Sequence, residues 1–434
     1  MRRILIAFAL VCSFNLNAQD YTSYFTGSEV DVVTNPIGGV CLMGGATESD
    51  DAMKWFLERC DGGDVLVLRA SGSDGYNDYL YSELGIQVNS VETIVCNSPF
   101  AETEAYIQDK VSKAEAIWFA GGDQWNYVSY WRNGPIETLI NQAISERNIV
   151  IGGTSAGMAI LGGYYFNAVN GTTTSTAALS NPFANTVTPD SEPFLNVPIL
   201  FDVITDTHFD SPDRRGRMVT FLARLYTDEG VYAKGIACDE YTAVCVDENG
   251  LAKVYGDFPT EDDNAYFIQV NCANETMSPE VCESGQSLTW NHDGQVLKVY
   301  RIKGNTAGTN TFDLSDWQTG VGGEWLDWSA LEGVFSETNS TQIECSNVGV
   351  EDHQSQDLSV FVFPNPISNS TLTIQSNQKF DLVEIRNSVG QLVFSNNMQA
   401  PVSSIQIDLN VTSGVYNLHV ISNGDVRMTQ LIVQ

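Results

Sequence analysis

The chain has 434 residues, of which 43% are hydrophobic, so it is too long for one ordinary core and too apolar to be disordered. Its 54 acidic residues against 21 basic ones give a formal net charge of −33. This balance argues against nucleic acid or an anionic membrane surface as a partner, because both bind basic surfaces. We therefore expect a soluble protein of two or three packed units.

The N-terminus, MRRILIAFALVCSFNLNAQD, has the features of a secretory signal peptide. Arg2 and Arg3 precede an apolar run from Ile4 to Phe14, and Ala18 is a small residue at a cleavage position. The run is too short to cross a bilayer, and no later stretch reaches the roughly 18 to 20 apolar residues of a transmembrane helix. We predict a signal peptide at residues 1–18 and an exported protein that does not span a membrane.

The cysteines fit an oxidising compartment. Nine cysteines become eight once Cys12 leaves with the signal peptide, and an even number permits disulfides. Cys272, Cys282 and Cys345 have polar neighbours and are candidates for bridges, whereas Cys41 lies in a predicted strand and is expected to be buried as a small apolar residue. Because no C-x-x-C spacing occurs, we predict no structural zinc, and no pattern requires a cofactor.

From Gly39 to Leu161, short apolar runs alternate with longer amphipathic ones. The apolar runs are predicted strands at Val40–Met43, Val65–Leu68, Val91–Val95, Ile117–Phe119 and Ile149–Ile151. The amphipathic runs are predicted helices at Asp51–Cys60, Glu102–Lys113 and Ile136–Glu146. This alternation predicts an α/β fold with a mainly parallel, doubly wound sheet, in which ligands bind beyond the carboxyl ends of the strands.

After about Gly162 the helical pattern fades, and we predict further strands, such as the one in QVLKVYRI, that complete or flank the first sheet. Residues 19–345 would form this domain. A polar stretch at residues 346–358 is a predicted linker. Residues 359–434 alternate with period two between Asn, Gly and Ser turns, which predicts a small β-sandwich of about seven short strands. By itself, this module could serve adhesion or carbohydrate binding.

The C-terminal module also resembles the sorting domain of type IX secretion cargo. The resemblance covers roughly Phe361 to Gln434 and rests on FPNP, VGQLV, SGVYNLHV and a last strand that carries Arg427. It implies that this module is an export signal, which a sortase-like step removes or replaces with a surface anchor. It also implies that the type IX secretion machinery is a partner and that the protein is secreted or attached to the cell surface.

The segment NIVIGGTSAGMAIL surrounds Ser155 with glycines between two apolar runs. The spacing G-x-S-x-G is weak alone, but between a strand and a helix it predicts a sharp turn that exposes the serine hydroxyl at the sheet edge. The amide of Ala156 would then face a developing oxyanion at the positive end of the helix. The alternative is a glycine-rich turn in which Ser155 only caps the helix.

A nucleophilic serine needs a base, and the chain has four histidines. His353 lies in the predicted linker, His419 in the C-terminal module and His292 in the turn-like WNHDG. Elimination leaves His208, which follows the apolar run Pro198–Ile204, a further predicted strand. The alternative is that His208 is a polar residue with ordinary partners at a strand end.

The segment AIWFAGGDQWNYV is another strand that runs into paired glycines. Gly122 is a candidate second oxyanion donor because glycine allows close backbone approach, and Asp123 and Gln124 would lie at the rim of the pocket. An ordinary turn between a strand and a helix is the alternative.

Three basic residues follow His208 closely, namely Arg214, Arg215 and Arg217. A guanidinium group matches a carboxylate bidentately, so these arginines are candidates for binding an acidic side chain or a substrate carboxylate. The alternative is that they only pair with nearby acidic residues.

Together, FAGGDQ, GGTSAGM and DTHF followed by RRGRM resemble the cyanophycinase and dipeptidase E family of serine peptidases, over about Gly39 to Tyr226. The resemblance implies a fold related to class I glutamine amidotransferases, with a nucleophile at Ser155 and a base at His208. It also implies hydrolysis next to aspartyl residues, in α-aspartyl dipeptides or in the β-aspartyl-arginine units of cyanophycin.

The sequence departs from this family at three positions. Thr207, Pro212 and Val128 stand where we expect Gln, Arg and Lys in cyanophycinases, so strict cyanophycin specificity is not predicted.

The group that orients the histidine is not evident from the sequence. The segment after the elbow, GGYYFNAVNGTTTSTAALSNPF, contains no Asp or Glu. Asp206 is a candidate by proximity, and Asn170, Thr172 or Ser175 could serve as a polar partner instead.

Our hypothesis is a secreted serine exopeptidase that acts on a short peptide or isopeptide. A homodimer is a possible assembly. Two rivals remain, a related secreted amidase or esterase and a non-catalytic surface binding protein on the same scaffold.

Overall fold

The computed structural model describes residues 20–274, 276–342, 360–363, 367, 371–387, 392–412, 414–422 and 425–433. The predicted signal peptide, the predicted linker and Cys345 lie outside these residues. In the described part of the chain, every helix is too short or too polar to cross a membrane.

The described residues form seven α-helices, and the local sequence explains several of their ends. Ser49 caps the first helix by accepting a hydrogen bond from the Ala52 amide, and Asp50 and Asp51 occupy its first turn. Pro135 opens the fourth helix, and Gly230 ends the last one in the left-handed conformation, with φ of 73°. The helices are α1 (Asp50–Glu58), α2 (Ala105–Lys113), α3 (Gln124–Trp131), α4 (Pro135–Arg147), α5 (Ala156–Ala159), α6 (Ser175–Ser180) and α7 (Arg215–Glu229).

The strands fall into three sheets. They are β1 (Tyr21–Gly27), β2 (Gly39–Met43), β3 (Asp64–Arg69), β4 (Ser90–Cys96), β5 (Ala116–Phe119), β6 (Val150–Thr154), β7 (Tyr164–Phe166), β8 (Pro189–Asp190), β9 (Val203–Asp206), β10 (Lys234–Cys238), β11 (Ala243–Asp247), β12 (Leu251–Tyr255), β13 (Asn264–Val270), β14 (Leu297–Lys303), β15 (Asn310–Asp313), β16 (Gly320–Val321), β17 (Gly323–Leu331), β18 (Val334–Asn339), β19 (Val360–Phe363), β20 (Thr371–Asn387), β21 (Leu392–Asp408), β22 (Gly414–Ser422) and β23 (Asp425–Val433).

The first sheet has ten strands in the order β1-β4-β3-β5-β6-β2-β11-β12-β15-β16. Its centre, β4-β3-β5-β6-β2, is parallel, and these are the five strands predicted from the apolar runs. The flanking strands pair antiparallel, so the sheet as a whole is mixed.

Helices cover both faces of the parallel centre. Val40 and Leu42 of β2 share a core with residues of α2, α3 and α4, whereas Cys41 and Met43 share another with residues of α1. Successive side chains of a strand point to opposite faces, so each strand contributes to both cores.

The second sheet was not predicted. It has eight strands in the order β18-β17-β14-β13-β10-β9-β7-β8. We expected the later strands to complete or flank the first sheet, and β11, β12, β15 and β16 do so, but eight others form a sheet of their own. Only β7, β9 and β10 are parallel neighbours in it.

Helix α7 corrects the expectation that helical structure fades after Gly162. It has 15 residues and packs in the core of the second sheet. Its buried face includes Gly216, Arg217 and Thr220, and these interrupt the apolar periodicity from which an amphipathic helix is predicted.

The C-terminal residues form a separate five-stranded sheet. Its order is β19-β20-β22-β23, with β21 also paired to β20. Within the described residues there are five strands rather than seven, because β20 and β21 each run for 17 residues. A sandwich remains a prediction for this region.

The cysteines behave only partly as expected. Cys41 is fully buried, and Cys272 is disulfide-bonded. Cys282 is a buried free thiol, so its prediction as a bridge residue is wrong.

Candidate active site

Ser155 lies on a sharp turn between β6 and α5. Its backbone has φ of 53° and ψ of −119°, a conformation that costs free energy for any residue except glycine. The flanking glycines make the turn sterically allowed, because a Cβ at Gly153 would come within 3.0 Å of the Gly157 backbone, and one at Gly157 within 3.0 Å of the Phe119 backbone. The G-x-S-x-G spacing therefore forms a sharp, strained turn between a strand and a helix.

The elbow brings Ser155 next to His208. Oγ of Ser155 lies 2.8 Å from Nε2 of His208, within hydrogen-bonding distance. His208 follows β9 with φ of 45°, so both residues adopt a positive φ just after a strand. The structure thus joins the two residues that the sequence singled out by different arguments.

Glu240 completes the arrangement, and sequence reasoning missed it. Oε1 of Glu240 lies 2.6 Å from Nδ1 of His208, on the side of the ring opposite Ser155. Glu240 occupies the short connection between β10 of the second sheet and β11 of the first sheet. The three side chains therefore meet where the chain crosses from one sheet to the other.

The four residues predicted to orient His208 have other partners, which corrects that prediction. Asp206 forms a buried ion pair with Arg217, and Thr172 accepts a hydrogen bond from the same guanidinium. Asn170 donates to the carbonyl of Asn185 at 2.7 Å, and Ser175 donates to the carbonyl of Asp213 at 2.8 Å. Asp206 does not bind His208, because the guanidinium of the buried Arg217 donates hydrogen bonds to both of its carboxylate oxygens.

The three arginines have different environments. Arg217 is only 2% exposed, pairs with Asp206 and lies over the rings of Phe166 and Phe221. Arg215 pairs with Asp213 at 2.9 Å and with Glu337 at 3.2 Å, and the Asp213 hydrogen bond raises its pKa. Both guanidinium groups are thus occupied by acidic residues of the protein itself.

Arg214 differs from its two neighbours. It donates to the carbonyl of Thr207 at 2.8 Å, and within the part of the chain that the structure describes no carboxylate forms an ion pair with it. Its Nε is buried and lacks a hydrogen-bond partner among those residues. Burial, followed by the nearby charge of Arg217, lowers the pKa of its guanidinium. Of the three arginines, Arg214 keeps donors free for a ligand.

The predicted oxyanion and rim residues lie around the elbow. Ala156 is the first residue of α5, and it is buried. Gly121 adjoins Ser155, since a Cβ added there would lie 3.5 Å from Cβ and 3.9 Å from Oγ of Ser155, whereas a Cβ added at Gly122 would meet the hydroxyl groups of Ser71 and Tyr127 instead. Asp123 caps α3 by accepting from the Trp125 amide, and Gln124 donates to the carbonyl of Phe166 at 3.2 Å.

Acidic residues surround Glu240. Asp210 accepts a hydrogen bond from the Glu240 amide at 3.0 Å. Burial raises the pKa of Asp239 to about 7, and Asp210 adds to that shift. Burial and Asp210 likewise raise the pKa of Asp263 to about 6. Despite these carboxylates, the described residues contain no cluster of three His, Cys, Asp or Glu side chains that could hold a metal ion.

A serine, a histidine and a carboxylate in this order form a hydrogen-bonded chain that can activate a hydroxyl as a nucleophile. The imidazole can take the hydroxyl proton, while the carboxylate holds the ring in the required tautomer. The positive end of a helix and a nearby peptide stand beside the hydroxyl, where charge would develop during acyl transfer.

Two family models match the chain. Residues 73–254 match Peptidase family S51, and residues 361–434 match the Secretion system C-terminal sorting domain. The first match contains Ser155, His208 and Glu240. The second coincides with the five-stranded C-terminal sheet and indicates type IX secretion, so the protein is secreted or located at the cell surface.

Curated relatives are similar to the first part of the chain. A cyanophycinase of Synechococcus elongatus is 25% identical over 227 residues, which cover 50% of this chain and 66% of the relative. A cyanophycinase of Geminocystis herdmanii is 27% identical over 153 residues, which cover 34% of this chain and 49% of the relative. The chain thus spans about half to two thirds of the length of these relatives.

Among solved structures, a peptidase from an acI-B1 actinobacterium aligns with a TM-score of 0.40 and 16% identity. The alignment covers 54% of this chain and 91% of that protein.

Proposed function

We propose that this chain, which contains a peptidase family S51 domain followed by a secretion system C-terminal sorting domain, is a secreted serine peptidase that hydrolyses short peptides or isopeptides next to aspartyl residues. The observation that carries the proposal is the continuous contact from Ser155 through His208 to Glu240, built on a strained elbow. Neither a cofactor nor a metal is needed for this chemistry.

In the proposed mechanism, Nε2 of His208 takes the proton from Oγ of Ser155 as the oxygen attacks the amide carbon. Glu240 stabilises the imidazolium that forms and keeps Nδ1 protonated. The amides of Ala156 and of the Gly121–Gly122 peptide stabilise the oxyanion. His208 then gives its proton to the leaving amine, and a water molecule hydrolyses the acyl-enzyme by the same route.

The substrate preference that we propose rests on Arg214. A guanidinium with free donors, next to the general base and without an acidic partner in the described structure, suits a substrate carboxylate. Arg215 and Arg217 would contribute to the field of the site rather than contact the substrate, because each already binds acidic residues. Asp123 and Gln124 would line the opposite rim.

We also propose that the mature chain comprises a catalytic domain at residues 19–345 and a sorting domain at residues 359–434, joined by residues 346–358. The end of β18 at Asn339 and the start of β19 at Val360 support these boundaries. The signal peptide at residues 1–18 and recognition by the type IX machinery belong to the same proposal.

The test is to digest a peptide library that contains α-aspartyl, β-aspartyl and neutral dipeptides, and to label the full chain with a fluorophosphonate probe. We expect cleavage next to aspartyl residues and labelling of Ser155, with Ser155→Ala losing both at an unchanged fold. Ser112→Ala, at an exposed serine of α2, is the matched control and should keep both. Turnover that survives in Ser155→Ala would overturn the assignment, and turnover of neutral amides alone would favour a related amidase or esterase.

A further inference from the structure

Three consecutive backbone carbonyls, at the end of β2 and directly after it, hold Ser155, His208 and the residue that follows Glu240. The Met43 carbonyl accepts from the Ser155 amide at 3.0 Å, and the Gly44 carbonyl accepts from the His208 amide at 2.9 Å. The Gly45 carbonyl accepts from the Tyr241 amide at 3.2 Å, directly after Glu240. Three segments that are distant in sequence thus form hydrogen bonds with one short stretch of backbone.

The sheet order explains why β2 can do this. It lies between β6, which leads into Ser155, and β11, which follows Glu240, and Met43 is paired with Thr154 on one side and Ala243 on the other. Gly44 continues the contact by donating to the Thr242 carbonyl at 2.9 Å. A Cβ at Gly44 would come within 3.0 Å of the Cys238 and Asp239 carbonyls, so the end of β10 presses against this backbone.

Gly45 also touches the imidazole itself. Its φ of +123° is one that other residues rarely adopt, and a Cβ added there would lie within 3.0 Å of both Nε2 and Cε1 of His208. Nε2 is the atom that faces Oγ of Ser155. The backbone of Gly45 therefore occupies the position beside the ring into which the reactive edge could otherwise move.

We propose that Gly45 is a positioning residue for the general base: its bare Cα and its carbonyl confine the His208 ring to the orientation that joins Ser155 to Glu240. This inference rests on the proposed function, since it concerns the same proton transfer. It assigns no contact between Gly45 and the substrate.

The first experiment compares Gly45→Ala with the parent chain, using the fluorophosphonate labelling rate of Ser155 and kcat and KM for a cleaved aspartyl dipeptide. Displacing the ring by about 1 Å is expected to lower the labelling rate and kcat about 100-fold, with little change in KM. Gly85→Ala is the matched control, because Gly85 also has a positive φ, of +74°, but a Cβ there meets nothing within 4 Å. It should keep the parent rates.

A double-mutant cycle separates positioning from general damage to the fold. If Gly45 acts through the imidazole, then Gly45→Ala should lower the free energy of unfolding more in the parent chain than in a His208→Ala background, where the ring is absent. The backbone strain of alanine at this φ is present in both backgrounds and cancels. If Gly45→Ala alone is too unstable to assay, adding His208→Ala should raise its unfolding midpoint, because the clash is then removed.

Two results would overturn the inference: labelling within threefold of the parent in Gly45→Ala, or an equal loss of unfolding free energy from Gly45→Ala with and without His208. Failure of the underlying function looks different, since Ser155→Ala and His208→Ala would then retain labelling or turnover. Loss in those two variants together with full activity in Gly45→Ala would contradict only the role of Gly45.

Discussion

Nδ1 of His208 lies 2.6 Å from Oε1 of Glu240, although 32 residues separate them in the chain. The contact bridges two sheets, because His208 follows β9 of the second sheet and Glu240 precedes β11 of the first. Without Glu240, the imidazole of His208 would lack the group that we propose sets its tautomer.

Glu240→Gln should lower kcat about 10⁴-fold while the fold stays intact, because a neutral amide can neither stabilise the imidazolium nor enforce the correct tautomer. Steady-state kinetics on the best aspartyl dipeptide measure this loss. Glu83→Gln, at an exposed glutamate of the π-helix Tyr79–Glu83, serves as the control and should change nothing. A loss below tenfold would mean that another group orients His208.

The strain at Ser155 predicts that two variants without the hydroxyl differ in stability. The free energy of unfolding of Ser155→Gly should be about 1 kcal/mol higher than that of Ser155→Ala. Glycine relieves about 1 to 3 kcal/mol of backbone strain, which outweighs the roughly 0.5 to 1 kcal/mol that its greater chain entropy in the unfolded state costs. Urea denaturation followed by tryptophan fluorescence reports on the catalytic region, because all eight tryptophans precede residue 330. Equal stability of the two variants would contradict a strained elbow.

Arg214→Gln should lower kcat/KM about 10- to 100-fold for aspartyl substrates and leave neutral ones nearly unchanged, because a charged hydrogen bond contributes about 1.5 to 3 kcal/mol. Arg215→Gln removes a guanidinium that already pairs with Asp213 and Glu337, so it should change the ratio of aspartyl to neutral activity by less than threefold. Competition assays with paired dipeptides measure this ratio. The opposite ranking of the two variants would move the substrate contact to Arg215.

The raised pKa of Asp239 predicts that stability depends on pH. Its folded pKa of about 7 exceeds the unfolded value of 3.8, so its contribution is fully present below pH 3.8 and is lost as pH rises through 7. The loss amounts to at most about 4 kcal/mol at 1.36 kcal/mol per unit.

Asp239→Asn cannot titrate, so its urea stability should fall less than that of the parent between pH 4 and pH 8. The exposed Asp74→Asn is the control for general charge effects and should follow the parent. Parallel pH profiles for the parent and Asp239→Asn would refute the assignment to Asp239.

The parallel centre of the first sheet was predictable because its strands are buried on both faces and read as continuous apolar runs. The turn at Ser155 was predictable as well, because the glycines around it have local causes. A Cβ at Gly153 would clash with the backbone of Gly157, and a Cβ at Gly157 would clash with Phe119 on the neighbouring strand. Local sequence carries both kinds of information.

Glu240 was not predictable from local pattern. It is one of 54 acidic residues, and its role arises from a crossing between sheets that no periodicity reveals. Sequence alone favoured Asp206, because it lies two residues before His208. In the fold, however, a buried carboxylate pairs with the nearest buried positive charge. For Asp206 that charge is Arg217 on α7. The same helix was not predicted from the sequence, because its buried face contains polar residues.

The passage of the chain from β10 in one sheet to β11 in the other has a consequence for when activity can appear. A partly folded chain that has built only one sheet lacks either the nucleophile or the residues that activate it. Under the proposed function, hydrolysis would therefore begin only after both sheets have assembled, so that a chain that is still folding would be protected from cutting itself or its neighbours.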